Sequence, residues 1–351
     1  YYNYLIYSLL KLSEELMLKI RCLLLLSLIT SSVWASEYLP ELIYQTDSRF
    51  THHVLLVEKS THSLYLYENN NKSPRLLKTY KIATGKITGN KSIQGDKKTP
   101  EGIYFFRKFR PTSELVSSYG KQGLIYGAGA FTMDYPNRID KSKGKTGGGI
   151  WLHSTDDDNR VSKGLDSKGC VVATDSDIRD ISKYIDIKNT PIIVTENLRF
   201  LKEETWNANK NKISNTIVSW AKAWKEKDFN TYINQYSKTD FKSRTKGNFY
   251  AYRNYKRRIF SKPDKPLIQF SNIAILNFNE YAVVILQQNY QSKTINDIGK
   301  KILFLKQNDR YQWRITSETW EKIDHDHENF SPSLRFFASE SSKENDDTGS
   351  I

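Results

Sequence analysis

The sequence predicts a β-rich chain of two domains, a β-sandwich followed by a small α+β domain. The chain has 351 residues, which is enough for two domains of ordinary size. Before residue 197, short runs rich in β-branched and aromatic residues alternate with polar loops, and helical patterns are few. After residue 197, one amphipathic helical pattern precedes four strand candidates. These two patterns favour a sandwich in the first domain and an α+β arrangement in the second.

Changes of composition divide the chain into segments. We predict upstream residues with a signal peptide at 1–35 and an N-terminal arm at 36–52. The first domain follows at 53–197, the second domain at 205–325 and a disordered tail at 331–351. The arm has a weak, mixed pattern, which fits either a linker or a packing arm. The tail is polar and acidic, and this composition predicts disorder because it offers little apolar surface for burial.

The N-terminal segment has the pattern of a secretory signal peptide. Residues 17–21 are basic, residues 22–29 are mostly leucine, and Ala35 is a small residue suited to cleavage. The apolar run is too short for a comfortable membrane span, so export with cleavage is favoured over an uncleaved N-terminal anchor. Cleavage would remove one of the two cysteines and leave Cys170, so no internal disulfide is expected.

The composition is strongly basic, with a formal net charge of +14 at pH 7. Basic proteins bind nucleic acids, anionic surfaces or acidic polymers. The sequence has no helix-turn-helix, zinc-finger or RNA-binding aromatic motif, so nucleic acid is not expected as a partner. It also lacks zinc-ligand spacing, which predicts a protein that needs no metal.

Strand candidates run through the first domain in a series. They lie at 54–58, 63–67, 76–83, 102–108, 150–153 and 191–195. A long loop rich in glycine and lysine, at 85–102, lacks the spacing of a phosphate-binding loop. Thr174 followed by Asp177 fits a capping box, so a helix should begin there.

The stretch from residue 151 to residue 177 holds the candidate site. A strand ends at His153, a polar loop follows, and the loop ends at Gly169 and Cys170. A cysteine attacks a carbonyl as the thiolate, and a nearby histidine can take its proton. Glycine allows a sharp turn before the sulfur, which can direct backbone N–H groups at a developing oxyanion. The pattern favours a nucleophile with its base, and the alternative is a buried, inert cysteine with a structural histidine.

The same stretch resembles the active-site motif of the L,D-transpeptidase catalytic domain family. The motif is His-Ser at 153–154, a polar loop, and Ser-Lys-Gly-Cys at 167–170. Residues 95–102 resemble the G-D-x-x-T-P-E-G element of the family, and residues 135–140 carry a Tyr-Pro-Asn element with an aspartate. The three elements come in the family's order over roughly residues 54–196, which makes the resemblance specific.

The resemblance implies catalytic roles for four residues. Cys170 would be the nucleophile and His153 its base, the backbone carbonyl of Ser154 would orient the imidazole ring, and N–H groups near Gly169 would hold the oxyanion. It implies no cofactor.

Three more residues next to this pair are candidate substrate-binding residues, namely Ser167, Lys168 and Trp151. The family usually has histidine where Lys168 stands here, and an arginine or asparagine where Val172 stands. Both positions flank the nucleophile, so we expect the differences to affect how an acyl acceptor approaches.

The second domain resembles the cone-shaped nuclear-transport-factor-like fold on a weaker pattern. Trp220 and Trp224 lie at helical spacing within 213–227, and we expect both in the core. The strand candidates that follow lie at 267–276, 281–292, 301–306 and 311–319.

Together, the two domains resemble the periplasmic L,D-carboxypeptidases that trim peptidoglycan in helical bacteria and affect cell shape. This branch implies that an acyl-enzyme on Cys170 releases the terminal D-alanine of a tetrapeptide stem and that water then frees the tripeptide. The implied partners are muropeptides and a second copy of the chain in a homodimer. Two alternatives stay open: an L,D-transpeptidase that passes the acyl group to another stem, and a non-catalytic cell-wall binding protein.

Overall fold

The computed structural model describes residues 38–323 and 330–337 of the chain. The described residues from Leu39 onward belong to one compact unit. The signal peptide that the sequence predicts at 1–35 lies outside the described residues. Within the described ranges, no helix is long and apolar enough to cross a membrane.

Strands dominate the described part of the chain, as the sequence predicts. In chain order they are β1 (Tyr38–Pro40), β2 (Ile43–Gln45), β3 (His53–Glu58), β4 (Ser63–Asn70), β5 (Ser73–Lys81), β6 (Thr84–Gly85), β7 (Gly102–Pro111), β8 (Gly129–Met133), β9 (Trp151–His153), β10 (Leu165–Ser167), β11 (Val171–Val172), β12 (Pro191–Thr195), β13 (Phe200–Lys202), β14 (Lys242–Ser243), β15 (Gly247–Asn248), β16 (Leu267–Phe278), β17 (Tyr281–Gln291), β18 (Asn296–Gln307) and β19 (Trp313–Lys322). The β-rich fold class is confirmed.

The helices are fewer and mostly short. Over the same ranges they are α1 (Thr112–Tyr119), α2 (Arg138–Ser142), α3 (Asn159–Ser162), α4 (Asp175–Ser182), α5 (Glu203–Glu226), α6 (Phe229–Asn234) and α7 (Phe249–Phe260), with a 3-10 helix at Gly120–Tyr126. Helix α4 begins where the sequence predicts, because the Thr174 side chain accepts a hydrogen bond from the N–H of Asp177. Helix α5 begins ten residues before the predicted start.

The first domain is built on an eight-stranded sheet in the order β11-β9-β8-β7-β12-β3-β4-β5. Most neighbours are antiparallel, but β12 pairs with β3, and β11 with β9, in parallel. Strand β3 is buried along its whole length because both faces of the sheet are covered. Strands β9 and β11, which carry the candidate site, lie at one edge of this sheet.

The second domain is a five-stranded sheet in the order β19-β18-β17-β16-β2, with helices against one face. Trp220 and Trp224 lie in its core, as the sequence predicts. Its last strand, β2, comes from the N-terminal arm, and its main-chain register aligns Ile43 with Leu276. The arm is therefore part of the second domain's sheet rather than a linker.

The opposite face of the second sheet packs against the first domain. Val283 and Ile285 of β17 share an apolar cluster with Leu56 of β3. At the start of β17 the Tyr281 hydroxyl accepts a buried hydrogen bond from the backbone N–H of Ile103, at 2.9 Å. The two domains therefore share one continuous core.

Replacement Tyr281→Phe should lower the free energy of unfolding. The variant keeps the ring but leaves the N–H of Ile103 without an acceptor, which costs about 1–3 kcal/mol in a buried site. Urea unfolding of the purified protein measures the difference. The control is Tyr311→Phe, since that ring is 82% exposed and its change should stay within about 0.5 kcal/mol. Equal stability of the two variants would contradict a shared core.

Of the tail at 331–351, residues 331–337 are described and residues 338–351 lie outside the described residues, so its disorder stays a prediction. Phe337 is buried and contacts Phe109, with ring centroids 5.3 Å apart. Phe336 contacts Phe131 at 5.1 Å. Two large aromatic side chains supply enough apolar surface to order a short segment, although the residues around them are mostly polar and acidic.

Candidate active site

Strand pairing brings the two halves of the motif together. Strand β11 pairs in parallel with β9, so that Val171 lies opposite Leu152 and Val172 opposite His153. Cys170 precedes β11 and therefore lies beside the start of the histidine strand, although the two segments are separated by the polar loop. On its other side, β9 pairs with β8, where Ala130 lies opposite His153.

The imidazole of His153 is held in one orientation. Its Nδ1 lies 2.5 Å from the carbonyl oxygen of Ser154. A carbonyl can only accept, so Nδ1 carries the proton, and in the neutral ring Nε2 is the nitrogen that can take another. The Ser154 hydroxyl donates to the carbonyl of Tyr126 at 2.8 Å, which anchors this segment to its neighbour. The ring contact is the one that the resemblance implies, and its catalytic role stays a prediction.

Burial sets the protonation of the pair. It lowers the pKa of His153 to about 4, although the hydrogen bond to Ser154 opposes the shift. It raises the pKa of Cys170 to about 11, although part of this residue's surface is open. At neutral pH both groups are therefore uncharged, and the thiol donates to the carbonyl oxygen of Gly149 at 3.5 Å. The resting site is a neutral thiol and a neutral base rather than an ion pair.

The turn before the nucleophile is built from Ser167 and Gly169. The Ser167 hydroxyl accepts from the N–H of Gly169 at 3.0 Å and donates to the carbonyl of Cys170 at 2.6 Å. Gly169 has a φ of 126°, and a Cβ there would lie 2.7 Å from the carbonyl oxygen of Lys98. A side chain is therefore excluded at this position.

The turn uses both the Ser167 hydroxyl and the N–H of Gly169. Ser167 is buried and its hydroxyl bonds the turn, and its role in substrate binding stays a prediction. The N–H of Gly169 already has an acceptor. Within the described residues the N–H of Cys170 forms no hydrogen bond, so it is the donor that remains for an oxyanion.

The other candidate positions differ in exposure. Lys168 is exposed beside the nucleophile and stays a candidate for substrate contact. Trp151 is half-buried, and its ring lies 5.0 Å from that of Tyr126. Val172 is fully buried with Ala83, so any effect on the approach of an acceptor would be indirect and stays a prediction. It is enclosed because β11 pairs with β9 and also bridges to Ala83.

Sequence reasoning missed three side chains at the site, which are Arg110, Tyr119 and Tyr126. The Tyr126 ring stands edge-on to His153 with centroids 4.9 Å apart, and Arg110 lies over both the Tyr119 and Trp151 rings at 5.3 Å. The sequence feature that could have drawn attention to the two tyrosines is that each is followed directly by a glycine, shortly before β8. Nothing local links that segment to the histidine, because the contact depends on the pairing of β8 with β9.

An open depression lies beside the base. Its volume is about 580 Å³, which is within the size range of small-ligand pockets. Thr155, next in the chain to the Ser154 carbonyl, lines it together with Thr112, Gly127 and Asp175. Within the described residues, no group of three His, Cys, Asp or Glu side chains is arranged to hold a metal ion.

The fold and the site together define a class: a β-rich domain with a histidine at the end of one strand and a cysteine just before the neighbouring strand, followed by an α+β domain. Residues 52–194 match the family model of the L,D-transpeptidase catalytic domain, whose members act on peptidoglycan stem peptides. Residues 212–319 match the Cds6 C-terminal NTF2-like domain. The chain therefore contains an L,D-transpeptidase family domain followed by an NTF2-like domain, and both resemblances are confirmed.

Two proteins of known structure are similar to this chain over most of its length. Bd1075 from Bdellovibrio bacteriovorus is 28% identical with a TM-score of 0.71, and the match covers 82% of this chain and 100% of that one. Pgp2 from Campylobacter jejuni, described as a helical cell shape determining protein, is 28% identical with a TM-score of 0.60, covering 79% and 94%. No curated protein matches the sequence.

Proposed function

We propose that this protein is a peptidoglycan L,D-carboxypeptidase that removes the terminal D-alanine from tetrapeptide stems and leaves tripeptides. The observation that carries the proposal is the fixed imidazole: Nδ1 of His153 is bound to the Ser154 carbonyl, which reserves Nε2 for the proton of the neighbouring Cys170. The L,D-transpeptidase family domain and the similarity to Pgp2 support it. By the same similarity, we propose an effect on cell shape.

The neutral resting pair defines how acylation would proceed. When the carbonyl of the third stem residue enters, the thiol proton of Cys170 passes to Nε2 of His153 as sulfur bonds to the carbonyl carbon. The N–H of Cys170 then holds the oxyanion. A thiol of high pKa gives a strongly nucleophilic thiolate, and an imidazolium of low pKa is a strong acid. Proton transfer and attack are therefore coupled, with no stored thiolate.

The second half of the cycle returns the site to its resting state. The imidazolium of His153 donates its proton to the leaving amine of D-alanine as the carbon–nitrogen bond breaks. The neutral ring then takes a proton from water, whose oxygen attacks the thioester. The tripeptide leaves with a new carboxylate, and Cys170 recovers its proton. A transpeptidase would differ only in the acceptor, which would be the amine of a second stem.

Purified muropeptides test the choice of acceptor. Tetrapeptide substrate should give mainly tripeptide and free D-alanine, with little cross-linked dimer, because a stem acceptor must be held in an ordered pose whereas water needs only access. Loss of one acceptor contact worth about 1.4 kcal/mol shifts partitioning toward water about tenfold. Mass analysis of the products at rising substrate concentration measures this ratio. Dominant dimers joined through two third-position residues would favour the transpeptidase instead.

Lys168 provides a variant that separates the two acceptors. It is the exposed position beside the nucleophile where the family usually has histidine. Replacement Lys168→His should raise the proportion of dimer if this position contacts an acceptor stem, while the total rate of D-alanine release stays similar. The location in the periplasm, the signal peptide and the homodimer stay predictions.

A further inference from the structure

The wall over the histidine is formed by one segment, residues 112–126, which comprises α1 and the 3-10 helix. We call it the cap segment. Its final residue, Tyr126, contacts the His153 ring at 4.9 Å and the Trp151 ring at 5.0 Å. Tyr119 approaches Trp151 from the same segment, at 6.3 Å. The cap segment therefore supplies much of the apolar surface that separates the imidazole from water.

Arg110 is one of several side chains that bind the cap segment from outside, since Lys108, Ser154 and Arg160 also bond to it, through the Glu114 carboxylate, the Tyr126 carbonyl and the Ile125 carbonyl. Arg110, near the end of β7, donates from Nε to Glu114 at 2.9 Å, from Nη1 to the Tyr119 hydroxyl at 3.0 Å and from Nη2 to the Ser118 hydroxyl at 2.8 Å. Its guanidinium also lies over the rings of Tyr119 and Trp151, at 5.3 Å from each. The Arg110 side chain is 14% exposed, whereas Ser118 and Tyr119, which accept two of its hydrogen bonds, are exposed.

We propose that Arg110 is a positioning residue that holds the cap segment against the histidine strand and thereby keeps His153 dry and neutral. The inference deepens the proposed function and rests on it for its effect on catalysis. Arg110 acts through Tyr119 and Trp151 and touches no reacting atom. Its three directional donors and flat, stacking face are properties of the guanidinium that a lysine does not reproduce.

The charges that act on His153 come from other elements. Arg160 lowers the pKa of His153 and Asp166 raises it, while the Ser154 carbonyl and the Tyr126 ring contact the imidazole without a formal charge at neutral pH. Replacement of Arg110 leaves these groups in place. A change at His153 would then report hydration through a loosened cap segment.

The test uses Arg110→Lys and Arg110→Met in the full-length mature protein. Both should raise the pKa of His153 from about 4 toward its ordinary 6.5, as measured by NMR titration of labelled histidine with the His153 signal assigned from His153→Gln. For a rise to about 6, the neutral fraction at pH 5 falls about tenfold, and kcat/KM should fall by the same factor. At pH 8 the loss should be much smaller, which a general loss of structure would not reproduce.

The lysine variant separates packing from charge. Loss of a positive charge alone would raise the pKa of His153 in Arg110→Met but not in Arg110→Lys, and that outcome would overturn the inference. Tyr119→Phe removes one acceptor of Arg110 and should raise the pKa of His153 by a smaller amount. This variant replaces the arginine variants in the test if they fail to fold. Arg107→Lys is the matched control, because that side chain lies on the same strand and is 63% exposed.

The release of D-alanine tests the proposed function, and the pKa of His153 tests the role of Arg110, so either can be contradicted without the other. If the protein releases no D-alanine but both arginine variants raise the pKa of His153, the proposed function fails and the structural role of Arg110 stands. If the protein is active and neither variant changes the pKa or the low-pH rate, the role of Arg110 is wrong. Equal losses of kcat/KM at pH 5 and pH 8 with an unchanged pKa would also overturn it.

Discussion

Replacement of Cys170 by alanine is expected to abolish the release of D-alanine from tetrapeptide stems. Without sulfur no acyl-enzyme forms, and binding alone leaves a rate at least about 10³-fold lower. The fold should survive, because the removed sulfur makes only weak hydrogen bonds, to the carbonyl of Gly149 and to the backbone of Trp151. Mass analysis of muropeptide products measures turnover, and circular dichroism with thermal unfolding measures the fold.

Cys170→Ser is the matched control for shape. Its hydroxyl fills nearly the same space, but its pKa is far above that of a thiol, so a base with a pKa of about 4 cannot activate it. Both variants should unfold at the same temperature as the unchanged protein, and neither should carry an acyl group when intact protein is weighed after incubation with substrate. Turnover that persists in the alanine variant would exclude Cys170 as the nucleophile.

Replacement His153→Gln should cause the second large loss. With the pKa of Cys170 at about 11, only about one thiol in 10⁴ is ionised at pH 7 without a base. We therefore expect kcat to fall by about 10²–10⁴-fold at pH 7. In this variant kcat/KM should rise about tenfold for each pH unit from 7 to 10, as the thiolate fraction rises.

The unchanged protein should respond to pH in a different way. The pKa of His153 is lowered to about 4, so the neutral base is present above pH 4 and is lost as pH falls through that value. The rate should therefore be level around neutrality and decline only in acid. A decline centred near pH 6.5 would show that the imidazole is hydrated during turnover. A flat profile for His153→Gln between pH 7 and 10 would contradict its role as the base.

The parts of the site that are contiguous in sequence are predictable from sequence. Gly169 and Cys170 adjoin, and the need for glycine follows from the turn that the backbone makes there. The contact of His153 with the Ser154 carbonyl also involves neighbours. Spacing alone does not reveal that Val172 is enclosed, because its burial comes from the bridge to Ala83, which lies in a distant part of the chain.

Other features depend on tertiary contacts that local patterns do not contain. The contact between the Tyr126 ring and the His153 ring joins the cap segment to a motif that lies further along the chain. Phe336 and Phe337 order a segment whose average composition is polar. Strand β2 has only three residues, which is too short for an alternating pattern to identify it.

The pairing of β2 with β16 has a consequence for modularity. The chain contributes one strand to the second domain, then forms the whole catalytic domain, and only afterwards supplies the remaining strands of that sheet. In topological terms the catalytic domain is an insertion within the second domain. A chimera that exchanges only the C-terminal half would remove β16 from its native partner and expose an edge open to pairing with other chains. A chimera should therefore exchange both domains together with the arm.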